Sequence, residues 1–365
     1  MTMNLSRIFK KKQELTTGLI LHKPDLIRDI VFSDALSDVD IPTEIETEVP
    51  YPDFQDGCSK CVLESYSYLA KLQDLKETNQ EFELSADFGY IIAKVDIDKN
   101  RKHGTSLLTG AKVAVDYGFP EETYFSDTEK FWGTEDYWDK GRMSPMVFYN
   151  AKIHSKKSYI RASGIGFGNV DLKELQQMIY QREGAVIAIR GQDSKWNAVF
   201  GFPEPPDLNS KEKIFYHAIV VTRNWKLING ELHILIANWW SPQKTKEVNG
   251  KAFAWLNWEK WKPHIWGCYS TIDRPNTDFP KTLMLKRIQL KDTFDQYIVK
   301  KEQKFKIPDE DTLTLLNELE ILMPLEIVEK EEFDKYIDRG IFPSQKLMEW
   351  AQHFLGISKD IFEKQ

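Results

Sequence analysis

Residues 55 to 62 read Gln55-Asp56-Gly57-Cys58-Ser59-Lys60-Cys61-Val62. Apolar side chains recur at helical spacing from Val62 to Leu72, which predicts that Cys61 lies in the first turn of a helix. The N-terminus of a helix carries partial positive charge, and this favours a thiolate over a thiol. The Gln55 amide is placed to donate a hydrogen bond to the oxyanion that forms when a thiolate attacks a carbonyl. The segment therefore predicts a cysteine nucleophile, Cys61.

Two further helices are predicted downstream of this segment. One covers 106–117; the other covers 171–182, begins with a capping-box-like pair, Asp171 and Glu174, and stops at Gly184. After that glycine the pattern becomes that of short apolar strands, over 185–189, 217–221, 232–238, 253–256 and 269–272. A mainly helical first part followed by a mainly β second part predicts the α+β class.

A nucleophilic thiol needs a base, and the base needs a group that orients it. His217 opens one predicted strand and Asn238 ends the next, and the Asn229-Gly230 turn between them predicts an antiparallel hairpin. The two residues are therefore expected to lie close together. Asn238 would accept a hydrogen bond from one ring nitrogen of His217, while the other nitrogen faces Cys61. Trp240 is expected to shield this contact from water, which strengthens it.

Four blocks of the sequence resemble those of the papain-like cysteine peptidases, in their divergent bacterial or viral form. Gln55 to Cys61 resembles the family's block of one glutamine and two cysteines, in which the last cysteine is the nucleophile. Gly104 to Leu107, with Tyr117 to Glu121, is similar to the helix and loop that line the cleft in bacterial members. His217 to Val221 is similar to the family's His-Ala-Val-x-Val strand, and Asn238 to Trp240 is similar to its Asn-Ser-Trp. The resemblance covers roughly residues 45 to 275.

The resemblance implies an α+β fold of two lobes, with a helical N-terminal lobe and an antiparallel, β-barrel-like C-terminal lobe. It implies an endopeptidase acting on a peptide or protein substrate, with no metal or organic cofactor. Its catalytic residues would be Gln55, Cys61, His217 and Asn238. Its substrate-binding residues would be Gly104, Thr105 and Trp240.

Several positions depart from the family pattern. Val62 stands where an aromatic residue usually follows the nucleophile, and Ser59-Lys60 replaces a Gly-Ser pair. The cysteine at the position of Cys58 joins a disulfide in the family. Here the only other cysteine after Cys61 is Cys268, so no disulfide is predicted.

The separation in sequence between nucleophile and base is also long. His217 follows Cys61 by 156 residues, whereas a separation of roughly 130–150 is typical of such enzymes. The Pro-rich segment 201–213 is the predicted site of an insertion that makes up the difference.

Three regions are predicted from charge and periodicity. Residues 1–45 form an extended lead-in, residues 46–300 the peptidase domain, and residues 301–365 a small module of three short amphipathic helices. The predicted helical faces are Leu313, Leu316, Leu319 and Leu322; Phe333, Tyr336 and Ile337; and Leu347, Trp350, Ala351, Phe354 and Leu355. The module is a candidate surface for a protein partner or for self-association. Whether the lead-in inhibits the enzyme is left open.

Composition argues against several classes of partner. The formal net charge of −7 disfavours nucleic acid or an anionic membrane surface as the main partner. No apolar run is long enough for a membrane span, and no apolar segment follows the basic N-terminus as in a signal peptide. Three cysteines in 365 residues do not make a disulfide framework. We therefore expect a cytoplasmic protein or one carried in a larger particle.

Three alternatives stay open at this point. Cys58 and Cys61 are also spaced as a thiol–disulfide redox pair at a helix start. The same fold is compatible with a catalytically weak or silent structural or binding component of a larger assembly, such as a virus particle or a secretion apparatus. Thioester chemistry with an amine acceptor would give transfer rather than hydrolysis.

Overall fold

The chain divides into two compact units. The structure, a computed structural model, describes residues 19–21, 30–31, 39–55, 58–126, 134–272, 285–293, 295–300, 303–307, 322–335 and 337–341. The first unit comprises Met1–Asp139 and His154–Arg274, and the second comprises Lys140–Ile153 and Pro275–Gln365. Every residue of the predicted catalytic set belongs to the first unit.

Helices and strands both contribute, as expected for the α+β class. The helices are α1 (Cys61–Thr78), α2 (Ala86–Ile92), α3 (Leu107–Asp116), α4 (Pro145–Ile153), α5 (Leu172–Arg182), α6 (Asp193–Trp196), α7 (Trp258–Trp261) and α8 (Lys330–Phe333). The strands are β1 (Ile30–Val31), β2 (Ser158–Arg161), β3 (Gly184–Gly191), β4 (Phe215–Ile228), β5 (Glu231–Ala237), β6 (Phe253–Asn257), β7 (Ile265–Ile272), β8 (Leu285–Leu290), β9 (Gln296–Lys300), β10 (Gln303–Lys306), β11 (Leu322–Val328) and β12 (Ile337–Ile341). None of the helices in the described ranges combines the length and the apolar character that crossing a bilayer requires.

Helix α1 is the central helix of the first unit. It begins at Cys61, as the sequence predicts, and continues to Thr78 rather than ending near Leu72. It packs against α2 and α3 and also against strands β3, β4 and β7. Because helices and strands both surround it, every residue from Cys61 to Asp74 is buried. The start of α1 therefore lies where the helical and β parts of this unit meet.

Helix α5 has the predicted start but a different end. Asp171 caps it by accepting a hydrogen bond from the backbone N–H of Glu174, at 3.0 Å. At its C-terminus Glu183, not Gly184, adopts the left-handed conformation, with φ of 63°. Gly184 instead opens β3, where a Cβ atom would approach the carbonyl oxygen of Val221 to 3.0 Å. The glycine is thus required for close strand pairing rather than for ending the helix.

In the described part of the first unit, seven strands form one sheet in the order β1-β2-β7-β3-β4-β5-β6. All neighbouring pairs are antiparallel except β1 and β2, which are parallel. The outermost strands β1 and β6 do not pair with each other within the described residues, so the sheet is open and the barrel-like expectation is corrected. A loop covers the free edge of β6 instead, because the N–H of Trp255 donates to the carbonyl of Gly201 at 2.9 Å.

The hairpin of β4 and β5 has the turn that the sequence predicts. Asn229 and Gly230 have φ of 54° and 81°, which is the pattern of a two-residue hairpin turn with positive φ at both positions. The register pairs Val220 with Ala237. This hairpin places the residue after β5, Asn238, beside the start of β4, where His217 lies.

A hydrophobic core lies between α5 and the sheet. The helix contributes Leu175, Met178 and Ile179, and alternate strand residues face it, because successive strand side chains point to opposite faces. Buried tryptophans complete this core: Trp196, Trp225, Trp258 and Trp261. Two of them, Trp196 and Trp261, belong to the neighbourhood of the site described below.

The second unit contains a five-stranded sheet in the order β11-β8-β9-β10-β12. Its core includes Ile288, Val328 and Phe333. Strand β11 pairs with β8 in parallel, and β12 pairs with β10 in parallel. These pairings join segments that are distant in sequence.

This sheet corrects the prediction of a purely helical module over 301–365. Leu322 and Ile337, which were assigned to helical faces, lie in strands β11 and β12, and the intervening helix α8 is one turn long. Pro324, inside β11, has no N–H to donate and disfavours a helix interior. The other predicted helical faces, around Leu313 to Leu319 and Leu347 to Leu355, lie outside the described residues.

Candidate active site

Cys61 is the first residue of α1, and its side chain is fully buried. The first intrahelical hydrogen bonds come from Leu63 and Glu64, whose N–H groups donate to the carbonyl of Lys60 at 2.8 and 3.0 Å. The N–H of Cys61 thus belongs to the group of donors that a helix leaves without an intrahelical acceptor. A thiol and a backbone donor therefore coincide at the positive end of the helix.

Gln55 is buried and is held on two sides. Its backbone N–H donates to the carbonyl of Trp239 at 2.9 Å, and its side-chain Nε2 donates to the carbonyl of Cys58. The carbonyl of Cys58 takes one of the two amide hydrogens, which leaves the second for a ligand. Within the described residues, Oε1 of Gln55 is buried without a hydrogen-bond partner.

His217 and Asn238 form a hydrogen-bonded pair, with Nε2 and Oδ1 separated by 2.9 Å. Oδ1 of Asn238 also accepts from the backbone N–H of Trp239 at 2.8 Å, and Nδ2 donates to the carbonyl of Gly250 at 3.0 Å. An N–H only donates and a carbonyl only accepts, so these two backbone groups fix which end of the amide is oxygen. Nε2 of His217 must therefore donate, and in the neutral ring Nδ1 carries the lone pair.

Burial lowers the pKa of His217 to about 4, against the hydrogen bond to Asn238, which raises it. The neutral imidazole is consequently the resting form at pH 7. A ring whose Nε2–H is bound and whose Nδ1 is unprotonated is a base with a defined direction. Any negative charge that develops near Nδ1 would oppose the effect of burial.

Aromatic rings enclose the imidazole. Trp240 stacks on His217, with ring centroids 4.6 Å apart and planes inclined by 22°. Phe215 approaches the same ring edge-on, with centroids 6.4 Å apart. Trp240 itself is only half-buried. It separates the His217–Asn238 hydrogen bond from solvent on one face while remaining accessible on its own outer side.

The four predicted catalytic residues come from three stretches of chain that the fold joins. The His217-bearing strand β4 packs against α1, which begins with Cys61. The Gln55 segment is bonded to Trp239, the neighbour of Asn238. Among the described residues, no three His, Cys, Asp or Glu side chains are grouped as metal ligands.

Three solved structures share this arrangement of helices and strands. Xylellain, a cysteine protease from Xylella fastidiosa, has a TM-score of 0.58 and 16% identity, over 71% of this chain and 97% of that one. Digestive procathepsin L 3 of Tenebrio molitor has a TM-score of 0.50 and 14% identity, over 71% of this chain and 76% of that one. ProCathepsin B S9 from Trypanosoma congolense has a TM-score of 0.50 and 10% identity, over 72% of this chain and 87% of that one. The chain has the papain-like fold.

At these identities the likeness establishes the two-lobed papain-like fold. No protein-family model matches the sequence, and the search of curated proteins gives no match.

Gly104 and Thr105, predicted to bind substrate, follow His103, whose Nδ1 lies 3.3 Å from the hydroxyl of Ser59, just before α1. The N–H of Gly104 donates to the hydroxyl of Tyr90 at 3.1 Å, and its carbonyl accepts from Lys94 at 2.8 Å. Both backbone groups of Gly104 are thus used internally. Thr105 uses its carbonyl differently, because it accepts from the N–H of Ile20 at 2.8 Å. A short parallel bridge between Leu19 and Thr105 accompanies this bond.

Tyr90 bonds Gly104 and lies within electrostatic range of both cysteines. Burial raises the pKa of Tyr90; the N–H of Gly104 lowers it, and Cys61 and Cys58 raise it further. Neither Cys58 nor Cys61 takes part in a disulfide.

Lys60 departs from the small residue that the papain-like pattern has here, and the structure gives it partners. Its ammonium group contacts Asp87 at 2.8 Å and Glu64 at 3.3 Å. Burial alone would lower the pKa of Lys60, but Asp87 and Glu64 outweigh it and raise the pKa. The cation is thus directed to carboxylates on α2 and α1. The sequence does not indicate the contact of Lys60 with Asp87, because the two residues are 27 positions apart.

A second charged group supports the approach to Gln55. Lys71, fully buried on α1, contacts Glu83 at 2.9 Å and donates to the carbonyl of Tyr51 at 3.1 Å. Lys244 contacts the other oxygen of Glu83 at 3.0 Å. Burial raises the pKa of Asp53, two residues before Gln55, to about 7, opposed by Lys71 and supported by the charge of Glu83. A carboxyl group with such a pKa changes its charge near neutral pH, so Asp53 is a titratable group beside the Gln55 segment.

Proposed function

We propose that this protein is a cysteine peptidase that cleaves peptide bonds through an acyl-thioester on Cys61. One observation carries the proposal more than any other. His217 is held by Asn238 in a single tautomer, under a tryptophan ring, on the strand that packs against the helix beginning with Cys61. A buried imidazole arranged in this way has no structural need for a fixed, unprotonated Nδ1. A nucleophilic thiol does need such a base.

The first half of the reaction transfers one proton and forms one bond. The Cys61 thiol proton passes to Nδ1 of His217, and the sulfur attacks the scissile carbonyl carbon. The oxygen of that carbonyl becomes an oxyanion, which the N–H of Cys61 and the second amide hydrogen of Gln55 stabilise. The hydrogen bond from Nε2 to Asn238 stabilises the imidazolium, because it raises the pKa of His217.

The second half returns that proton and breaks the peptide bond. Nδ1 of the imidazolium protonates the leaving amine as the carbon–nitrogen bond breaks, which leaves a thioester on Cys61. His217 then removes a proton from water, the hydroxide attacks the thioester, and the sulfur regains a proton as the acid product leaves. The residues of this chain balance every proton, and no cofactor enters.

A second candidate has a specific observation in its favour. The side chain of Cys61 is fully buried, and the Thr105 carbonyl is already bonded to Ile20. These two facts fit a papain-like component that binds other proteins without cleaving them. Under this alternative the thiol stays inaccessible to electrophiles while the chain is folded.

Labelling with a thiol-reactive peptidyl epoxide at neutral pH distinguishes the two candidates. We expect covalent labelling of Cys61 in the natural chain, and in matched Cys58→Ala and Cys268→Ala variants. Cys61→Ala and His217→Ala should not be labelled. Mass spectrometry of a peptide library, with and without added amines, then separates hydrolysis from transfer. Absence of labelling in all folded variants would favour the binding component.

A further inference from the structure

We propose that Trp196 is a positioning residue for the His217–Asn238 pair, acting through the backbone carbonyl of Gly250. The inference rests on the proposed function and names a further residue on which that function depends. Trp196 ends the short helix α6, in the connection between β3 and β4. It lies 21 residues before His217, and no motif in the sequence connects the two residues.

The carbonyl of Gly250 accepts two hydrogen bonds from different parts of the chain. Nε1 of Trp196 donates to it at 2.7 Å, and Nδ2 of Asn238 donates to it at 3.0 Å. A carbonyl oxygen has two lone pairs, so the two donors use its full capacity. The indole thus sets the position of the acceptor that the Asn238 amide must reach.

This acceptor matters because it helps to decide the orientation of the Asn238 amide. Nδ2 bonds Gly250, and Oδ1 accepts from the N–H of Trp239 at 2.8 Å and from Nε2 of His217 at 2.9 Å. If the Gly250 carbonyl moves, the amide loses one of the two backbone contacts that keep Oδ1 directed at the imidazole. The tautomer of His217 then loses its restraint.

Trp196 also contacts the ring that covers the imidazole. The centroid of its ring lies 5.1 Å from that of Trp240 and 6.1 Å from that of Phe215. The rings of Trp240 and Phe215 both pack on His217. The indole is almost fully buried, with 1% of its surface exposed. One side chain therefore supports the hydrogen-bonded edge of the imidazole through Gly250 and its stacked face through Trp240.

The connection that carries Trp196 is itself held in place. The side chain of Gln192 bonds both backbone groups of Asp207, at 2.8 and 3.0 Å. The carbonyl of Pro203 accepts from Nε1 of Trp261 at 2.9 Å. The connection includes the Pro-rich segment predicted to be an insertion. Its proposed contribution is to hold Trp196 rigidly against Gly250.

Trp225 provides a matched control. It is fully buried, and its indole N–H also donates to a backbone carbonyl, that of Pro42, at 3.1 Å. The carbonyl of Pro42 makes no hydrogen bond with Asn238. Trp196→Phe and Trp225→Phe thus remove the same ring portion and one hydrogen bond each, but only the first removes a bond shared with the site.

The pH profile of peptide hydrolysis is the first measurement. In W196F we expect kcat to fall roughly three- to tenfold, the value of one hydrogen bond, with KM little changed. The limb at which the imidazolium loses its proton should move to lower pH, because the Asn238 hydrogen bond raises the pKa of His217. W225F should show a similar loss of thermal stability with an unchanged profile. Equal profiles in W196F and W225F would overturn the proposal.

A second measurement does not depend on peptidase activity. The ¹⁵N chemical shifts of His217 report its tautomer, which should be the single Nε2–H form in the natural chain and a mixture in W196F. In an Asn238→Ala background the W196F substitution should have no further effect. If W196F does not fold, benzothienylalanine at position 196 keeps the ring and removes only the donor. An unchanged tautomer in the substituted protein refutes the positioning role, whereas failure of Cys61 labelling refutes only the peptidase.

Discussion

The backbone N–H of Gln55 donates a hydrogen bond to the backbone carbonyl of Trp239, over 2.9 Å. The residue next to Trp239 is Asn238, whose side chain bonds His217. One backbone hydrogen bond therefore connects the segment proposed to hold the oxyanion with the segment that holds the base. Cys58, bonded to Gln55 through both its N–H and its carbonyl, continues this connection toward α1.

We expect Gln55→Ala to lower kcat by about 10²–10³, the usual effect of removing one oxyanion donor. KM should change little, since the donor acts on charge that develops in the transition state. Gln73→Ala is the matched control, because Gln73 is a buried amide on α1 bonded to Thr271 and Arg182. The control should lose thermal stability but keep kcat. Steady-state kinetics decides, and a Q55A enzyme with full kcat would remove Gln55 from the mechanism.

The hydrogen bond between Ile20 and Thr105 predicts reduced access of substrate to Cys61. The Thr105 carbonyl accepts from the N–H of Ile20 at 2.8 Å, and an extended substrate at this edge would need the same acceptor. Ile20→Pro removes the N–H donor, whereas Ile20→Ala keeps it. We expect I20P to raise the rate of epoxide labelling at Cys61 several-fold and I20A to leave it near the natural rate. Equal rates in the two variants would mean that this bond does not limit access.

Local signals made the start of α1 and the hairpin of β4 and β5 predictable. The Asn229-Gly230 turn fixes the hairpin register, and the register brings Asn238 beside His217. No contact with distant residues is needed for either inference. The helical period after Cys61 is similarly local, although burial on all sides extends α1 further than the apolar pattern suggests.

Features set by distant partners were not predictable. The open sheet depends on whether its outer strands pair, and the parallel pairing of β11 with β8 depends on residues far apart in sequence. The same holds for the contact of Lys60 with Asp87 and for Trp196, which reaches Asn238 only through Gly250. Pro324 is the one local signal that argued against a helix where β11 lies.

A buried charge cluster on α1 predicts sensitivity to acid. Asp74 contacts Lys156 at 2.9 Å and His154 at 2.5 Å. Burial alone would raise the pKa of Asp74, but Lys156 and His154 outweigh it and lower the pKa to about 2. Its contribution is therefore complete above the unfolded value of 3.8 and is lost as pH falls toward 2.

We expect Asp74→Asn to destabilise the fold by about 3–5 kcal/mol at pH 7, because the buried ammonium group of Lys156 loses its counter-charge. Asp171→Asn is the control, since asparagine caps a helix as well as aspartate does. Urea unfolding measures both. The difference between D74N and the natural chain should shrink below pH 3. A difference that is constant with pH would contradict the charge argument.

The carboxyl of Asp53 predicts stability that falls as pH rises, the opposite of the pH dependence expected for Asp74. Burial raises the pKa of Asp53 to about 7, opposed by Lys71 and supported by Glu83 and Glu122, whereas the unfolded value is 3.8. Between these two values the folded protein retains a proton that the unfolded chain has released, so stability falls as pH rises through this window. We expect the free energy of unfolding to fall by up to about 4 kcal/mol across this window, because one pKa unit corresponds to about 1.4 kcal/mol.

Asp53→Asn should remove the contribution of Asp53 to this pH dependence, because the amide does not titrate. Between pH 4 and about 7 the free energy of unfolding of D53N should therefore fall less than that of the natural chain. Glu259→Gln, at an exposed carboxylate on α7, should follow the natural chain. Since Asp53 lies two residues before Gln55, we expect kcat of the natural chain to fall above pH 7 and kcat of D53N to fall less. If D53N and the natural chain lose stability in parallel, protonation of Asp53 does not stabilise this segment.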